Sequence, residues 1–300
     1  MIQSEGVSVA ITVADSGSTD GTVELVKTCF PAVRVVVLGA NVGYAAAVNR
    51  GWKAADDNSG YVVIANADLV FDKDCLRNLV KELDKDPAVG VVGAQQRFPN
   101  GSWQRSYGNV PGLIDACSNV LGLTSAHNWT RRLMWPRRID RRNRDVGYID
   151  GAAMAIRRRA FEMVGGFDES YRFYVEEAEF CWRLKKAGWK VVFVPAATLV
   201  HLRGGSSQKK TQETRCRLLA LYITGKMTFA RQRYRPVQLN LYQFVEIMHA
   251  RKMELFCACM ARLASGVPAE RWRDLRLAFG AEAKTWRLVC KRADAELPGE

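Results

Sequence analysis

From the start of the chain to about residue 95, short β-branched runs alternate with stretches whose apolar positions recur every three or four residues. That alternation predicts a sheet of largely parallel strands covered by helices. Strands are expected over 7–13, 35–38, 61–65 and 89–94. Between them, 21–28 places Val23 and Val26 on one helical face, after a Ser18-Thr19-Asp20 cluster suited to capping. A second helix over 43–55 buries Tyr44, Ala47, Val48 and Trp52 by the same period. Residues 97–145, rich in Gly, Pro, Trp and Arg, read as an irregular stretch too long for a passive connector and hence as a binding loop.

The regular pattern then resumes. A strand is expected over 152–157, a helix over 176–187 with Phe180 and Leu184 on one face, and strands over 191–194 and 198–201. Glu179 and Arg183 form an i,i+4 pair on that helix, and Gly188 ends it. From 211 onward the pattern is helical, basic and amphipathic, most apolar over 253–264.

In sheets of this kind ligands bind beyond the carboxyl ends of the strands. Three successive strand ends carry Asp15-Ser16-Gly17-Ser18-Thr19-Asp20-Gly21, then Asn41-Val42-Gly43, then Asn66-Ala67-Asp68. Any one of these suits a turn, since Asp and Asn side chains bond their own backbone and Gly supplies positive φ. All three in register point to a ligand site instead.

Composition narrows the class. A chain of 300 residues with 48% apolar positions can bury a substantial core, which excludes general disorder. Lys and Arg number 44 against 31 acids, a net charge of +13, and the densest patch is Arg131, Arg132, Arg137, Arg138, Arg141, Arg142 and Arg144. Such a patch reads as a solvated loop or as a site for phosphate on nucleic acid, lipid or diphosphate. Eight cysteines without metal-site spacing read as reduced thiols in a cytosolic compartment. No apolar run approaches the ~18–20 residues that span a bilayer.

Against this basic background the carboxylates stand out. Glu176 and Glu177 fall at a helix N-terminus, where the macrodipole stabilises an ionised acid by roughly 0.3–1 kcal/mol. Such acids are often ordinary first-turn glutamates. A second carboxylate, Asp68, offers the hard oxygen that suits magnesium or manganese, and His201 at another strand end is placed either to complete that shell or to serve the fold alone.

Taken together, 14–22 with Asp15, Gly39-Ala40-Asn41-Val42-Gly43-Tyr44 through Asn49, and Asn66-Ala67-Asp68 resemble family 2 glycosyltransferases of the GT-A (nucleotide-diphospho-sugar transferase) fold. So do Gly165-Gly166-Phe167-Asp168-Glu169, Glu176-Glu177, Cys181-Trp182-Arg183, Pro195 and His201. The resemblance covers about 7–207 and is strongest to bacterial rhamnosyltransferases that act on lipid-linked acceptors. It implies that Asp15, Asn41, Gly43 and Asn66 contact the donor nucleotide, and that Asp68 and His201 hold a divalent metal, Mg or Mn, on its diphosphate. It implies Glu177 as the catalytic base, with Glu176 beside it, and Gly151 and Arg183 on the acceptor side. Glu177 and Glu179 stand where the family usually has Asp.

The fold class expected is therefore α/β, with a mixed, mainly parallel GT-A sheet over 1–207 and a C-terminal helical appendage over 208–300. Residues 1–95 would bind nucleotide and 96–207 would bind acceptor and carry out the chemistry. Because only fourteen residues precede Asp15, the usual first strand and helix are expected to be missing. The implied activity is inverting, metal-dependent transfer of a sugar, rhamnose from dTDP-rhamnose being favoured, to a glycan or polyprenyl-diphosphate-linked hydroxyl in cell-wall or surface polysaccharide synthesis. The implied location is cytoplasmic, on the inner face of the membrane. The alternative is a catalytically silent relative that binds nucleotide sugar or membrane. A nucleic-acid-binding protein, suggested by charge alone, lacks any recognisable reading motif.

Overall fold

The computed structural model describes residues 6–55, 58–123, 142–171, 173–202 and 212–295. They divide into two compact units, one of residues 1–110 with 139–209 and the other of 111–138 with 210–300. In the first unit, β1 (Thr12–Asp15) and β2 (Arg34–Val37) pair in parallel as a two-stranded sheet, from Thr12 against Arg34 to Asp15 against Val37. The expected strand over 7–13 is thus shorter and shifted, because β2 offers only four residues of partner. Helix α1 (Thr22–Cys29) starts where the Asp20 carboxylate accepts the Thr22 N–H, and Val23 and Val26 share a face that is only partly covered.

The larger sheet is mixed. Its order is β3 (Tyr61–Ala65), β10 (Ala153–Arg157), β5 (Val89–Arg97), β11 (Lys190–His201) and β4 (Leu69–Phe71). β5 and β11 run parallel, whereas β10 is antiparallel to β3 and β5, and β4 is antiparallel to β11. Two short strands extend it, β6 (Trp103–Gln104) on β5 and β8 (Arg144–Asp145) on β11, while β7 (Tyr107–Gly108) pairs with β9 (Tyr148–Ile149). The two strands expected at 191–194 and 198–201 are one, with a register shift between Val194 and Thr198 around Pro195.

Both faces of this sheet are packed. On one, α3 (Cys75–Lys85) lays Leu76, Leu79 and Leu83 against Val92, Val194 and Leu199. On the other, α2 (Tyr44–Ala54), α5 (Arg158–Val164) and α6 (Glu176–Lys186) cover Val91, Ile149, Met154 and Phe193. There the aromatic rings interlock, with Trp52 stacked on Phe161 at 3.7 Å and Phe167 on Phe180 at 4.4 Å between centroids. Such pairs contribute about 0.5–1.5 kcal/mol each beyond burial of their area. The first fixes α2 to α5, and the second fixes α6 to the 165–169 turn.

The second unit is helical: α4 (Leu113–Val120), α7 (Gln212–Arg233), α8 (Pro236–Leu263) and α9 (Val267–Ala295). Its core joins Ala116, Ile223, Met227, Ala230, Tyr242 and Trp286. Within the stretch expected to be irregular, Leu113–Val120 is a helix of this unit, secured where Tyr234 Oη accepts the Leu113 N–H at 2.7 Å. The unit buries an ion pair, Lys226 with Glu246, among the rings of Tyr242 and Trp286. Of the arginine patch, Arg131, Arg132, Arg137, Arg138 and Arg141 lie outside the described residues, and Arg142 and Arg144 are exposed.

Candidate active site

The polar strand ends of the sequence sit where the sheets end. Asp15, buried at the end of β1, accepts the N–H groups of Gly17 and Ser18 at 3.1 Å each. Hydrogen bonding from the Ser18 side chain, then from the backbone, holds its carboxyl below the usual range. The adjoining turn is pressed against the next one. At Gly17, with φ at +85°, an added Cβ would lie 3.0 Å from Ala40 Cα, so a side chain there would force the two turns apart. Asn41 Oδ1 accepts the Gly43 N–H at 3.1 Å, and Gly43 in turn opens α2.

Tyr44, the first residue of α2, donates its hydroxyl to the Gly151 carbonyl. Asn66 donates its N–H to Ala152 O at 2.9 Å. The second and third strand ends are thereby tied to one turn, Asp150-Gly151-Ala152. An ideal Cβ on Gly151 would stand 3.3 Å from Tyr44 Oη and 3.6 Å from Glu177 Cβ, which brings the catalytic candidate to the same turn.

The approach to Glu177 is strained. Tyr174 and Val175, neither of them Gly, hold φ at 72° and 73° just before α6. Left-handed backbone costs an L-residue about 1–2 kcal/mol, more readily tolerated by Asn than by a β-branched Val. The strain turns the chain so that α6 begins with Glu176 and Glu177. Glu176 is 5% exposed, and its Oε2 is buried without a hydrogen-bond partner among the described residues, whereas Glu177 is partly accessible. Burial raises both carboxyls well above the usual range, and the charges of Glu176 and then Asp150 push Glu177 further. The Tyr44 hydroxyl is likewise raised by burial and by Glu177, Glu176 and Asp150, so it keeps its proton to donate.

Asp68 and His201 meet at the opposite edge of this end of the sheet. His201 Nε2 is 3.4 Å from Asp68 Oδ1, and Leu202 N–H donates to Asp68 O at 2.9 Å. Behind the imidazole, Gln96 Oε1 accepts from Gln104 Nε2 at 2.9 Å and stands 3.0 Å from His201 Nδ1. Gln104 Nε2, a donor, lies 3.3 Å from the same nitrogen, so the ring proton sits on Nδ1 when Gln96 is its partner and on Nε2 when Gln104 is; only the first arrangement turns the Nε2 lone pair to the Asp68 carboxylate. In that tautomer the two groups are both acceptors and suit a cation between them. Among the described residues no third His, Cys, Asp or Glu joins them, so substrate oxygens and water would have to complete a shell.

Arg183 lies six residues beyond Glu177 in α6. Its Nη2 donates to Glu179 Oε2 and to Gly166 O at 2.8 Å each, Nε donates to Glu179 Oε1, and Nη1 donates to Val164 O. Glu179 is 2% exposed. Arg183, expected on the acceptor side, thus ties α6 to the end of α5 and the 165–169 turn together with Glu179. Asn49 clamps that turn from α2, giving Nδ2 to Phe167 O at 2.8 Å and taking the Phe167 N–H at 2.9 Å. Asp150, Tyr44, Gln96 and Gln104 escaped the sequence reading as site residues. The Asp150-Gly151 pair before a strand was the available signal; the two glutamines gave none.

This arrangement can be set beside known proteins. The Glycosyl transferase family 2 model matches residues 5–165, more than half of the chain. The N-acetylglucosaminyl-diphospho-decaprenol L-rhamnosyltransferase of Mycobacterium tuberculosis is 35% identical over 210 residues, 66% of this chain and 68% of that protein. Rhamnosyltransferase WbbL of Escherichia coli is 27% identical over 156 residues, 51% of this chain and 56% of that one. The solved structure of a Pyrobaculum calidifontis mannosyltransferase in complex with GDP-Man and Mn2+ superposes with a TM-score of 0.55 at 19% identity, over 91% of this chain and 76% of that one. The likeness to that structure carries the fold alone, GT-A. The chain therefore belongs to glycosyl transferase family 2, among relatives that include bacterial rhamnosyltransferases.

Proposed function

We propose that the chain transfers a sugar, with rhamnose from dTDP-rhamnose favoured, from a nucleotide diphosphate sugar to a hydroxyl of a polyprenyl-diphosphate-linked or glycan acceptor, with inversion. The observation that carries this is the position of Glu177, a carboxyl of raised proton affinity set against the Asp150-Gly151 turn at the end of the sheet that also holds Asp68 and His201. The named substrate of the Mycobacterium tuberculosis relative supports the choice of a lipid-linked acceptor and of rhamnose.

In this reading Asp15, Asn41, Gly43 and Asn66 line the donor side, and Gly151 leaves room for the acceptor beside Glu177. Asp68 and His201 would hold a divalent cation, Mg or Mn, which when bound supplies positive charge against the leaving diphosphate. The acceptor oxygen attacks the anomeric carbon as that carbon's bond to the diphosphate oxygen breaks, and the acceptor proton passes to Glu177. One displacement inverts the centre. Tyr44 holds the Gly151 carbonyl while this happens, and the raised affinity of Glu177 suits a base that must accept a proton near neutral pH.

A catalytically silent nucleotide-sugar binder is the less favoured reading, because Glu177, Asp68 and His201, the candidates for base and metal side, all stand at the same end of the sheet. The site of action proposed is the inner face of the cytoplasmic membrane. Among the described residues no helix is long and apolar enough to cross a membrane. Calorimetric titration with dTDP, UDP and GDP, with and without Mn2+, tests the donor side. Metal-dependent binding of one nucleotide is expected, and no binding to any would remove the donor assignment.

A further inference from the structure

Helix α8 is apolar on the side that faces away from its own core. Tyr242, Glu246, Ala250 and Cys257 point inward. Opposite them Val237, Leu241, Phe244, Met248 and Leu255 follow helical spacing along one stripe and are 80%, 47%, 61%, 44% and 68% exposed. At 1.5 Å per residue the stripe is about 27 Å long. Beside it α4, packed on α8, adds Ile114 and Leu121, 84% and 70% exposed. An exposed apolar stripe of this length marks an interaction surface.

The charges around it select the occupant. The exposed charged residues of α8 and its cap are all cationic: Arg235, Arg262 and Lys252, whose Nζ also donates to Asn119 O and Val120 O at the end of α4. The acids of α8 are turned elsewhere. Glu246 is buried on Lys226, and Glu254 pairs with Arg251 and leans toward Gly280 of α9. Asp115 of α4 lies a helical step to the side of Ile114 and is half-buried. A second copy docked face to face would set cation against cation, whereas an anionic bilayer surface meets both the apolar stripe and its rim. Trp272 packs edge-on against Phe256 at 5.8 Å, an amphipathic ring of the kind that settles at lipid headgroups.

We propose that this face of the helical unit lies in the surface of a bilayer rich in anionic lipid, with α8 parallel to the membrane plane. The proposal rests on the reading of a lipid-linked acceptor only for its purpose, and its binding measurement contains neither donor nor acceptor. The full chain is co-sedimented with vesicles of phosphatidylglycerol and phosphatidylcholine, and with phosphatidylcholine alone. Binding at least about tenfold tighter to the anionic vesicles is expected, and the double variant Phe244→Ser, Leu255→Ser should lose about tenfold or more while keeping its melting temperature. Should that variant fold poorly, Val237→Ser, in the first turn of α8, is expected to weaken binding by itself. Equal binding by a folded variant, or no vesicle binding by wild type, overturns the proposal. So does a dimer in sedimentation equilibrium that Phe244→Ser dissociates, which would make the face an interface between copies. Transfer to a short water-soluble acceptor should be unaffected by Val237→Ser, so failure of the membrane surface and failure of the activity are separate results.

Discussion

His201 closes β11 with its Nε2 3.4 Å from Oδ1 of Asp68, the residue just before β4. The pairing of His201 with Leu69 across these antiparallel strands sets that distance, so the backbone register, not a chance rotamer, brings the two side chains together. Gln96 and Gln104 then orient the ring from behind.

Asp68→Asn should therefore remove the dependence of nucleotide binding on Mn2+, since it takes away the charged oxygen and leaves the imidazole. Gln104→Ala should weaken metal affinity about 10- to 100-fold through loss of ring orientation. Calorimetry of nucleotide binding across a Mn2+ series measures both. Nucleotide binding by wild type that ignores the metal would withdraw the role from this pair.

Glu177→Gln keeps the shape of the side chain and removes its capacity to take a proton. The expected loss in kcat is about 10²- to 10⁴-fold, the usual range for a positioned base, with nucleotide affinity nearly unchanged. Unchanged turnover would move the base elsewhere.

Gly151→Ala probes the space beside the base. Its new methyl would meet Tyr44 Oη at 3.3 Å, tighter than an ordinary contact, and Glu177 Cβ at 3.6 Å. We expect turnover to fall about tenfold or more, because small displacements of a positioned base are costly, while thermal stability changes by less than about 1 kcal/mol. A large loss of stability with turnover intact would make Gly151 a packing residue only.

Arg183→Ala should act in the opposite way. Glu179 would remain as a buried carboxylate without its partner, at a cost of about 3–5 kcal/mol. Arg183→Lys should recover only part of this, since one ammonium cannot reach Glu179, Val164 O and Gly166 O together. Denaturant unfolding reads the effect. A variant of native stability with a raised KM for acceptor would return Arg183 to the acceptor side.

Much of this was legible before any coordinates. Periodicity located α2, α6, β3 and β10 within one or two residues, because each is long enough for its apolar face to register. Where the sequence misled, the cause lies in partners it does not display. The 7–13 run has the residues of a strand, but only four positions on β2 to pair with. The runs over 191–194 and 198–201 read as two strands, yet a register shift between Val194 and Thr198 joins them and β11 continues to His201. Leu113–Val120 is too short to announce itself inside a Gly- and Arg-rich stretch, and its partners, Tyr234 and the helical core, lie more than a hundred residues away. The strand-end motifs were visible as chemistry. What they could not show was the pair of long-range bonds, Tyr44 to Gly151 and Asn66 to Ala152, that ties two of them to one turn.

The raised carboxyls of α6 make opposite predictions for stability and activity. In the unfolded chain Glu176 and Glu177 titrate near the ordinary value of about 4.3, whereas burial holds both higher in the folded protein, and the charge of Glu176 followed by that of Asp150 raises Glu177 further. Between the unfolded and folded values the native state binds more protons than the unfolded one. Stability from this pair is therefore complete below the unfolded value and is lost as pH rises through the folded values. Activity should rise across the same interval, since Glu177 must give up its proton to serve as a base. Melting temperature and kcat/KM measured over this range should cross in this sense. Glu176→Gln removes the neighbouring charge, so the rising limb of kcat/KM should move to lower pH, and Glu177→Gln should flatten the accompanying fall in stability. A limb that stays in place in Glu176→Gln would show that the two carboxyls titrate independently, and would leave burial as the source of the shift at Glu177.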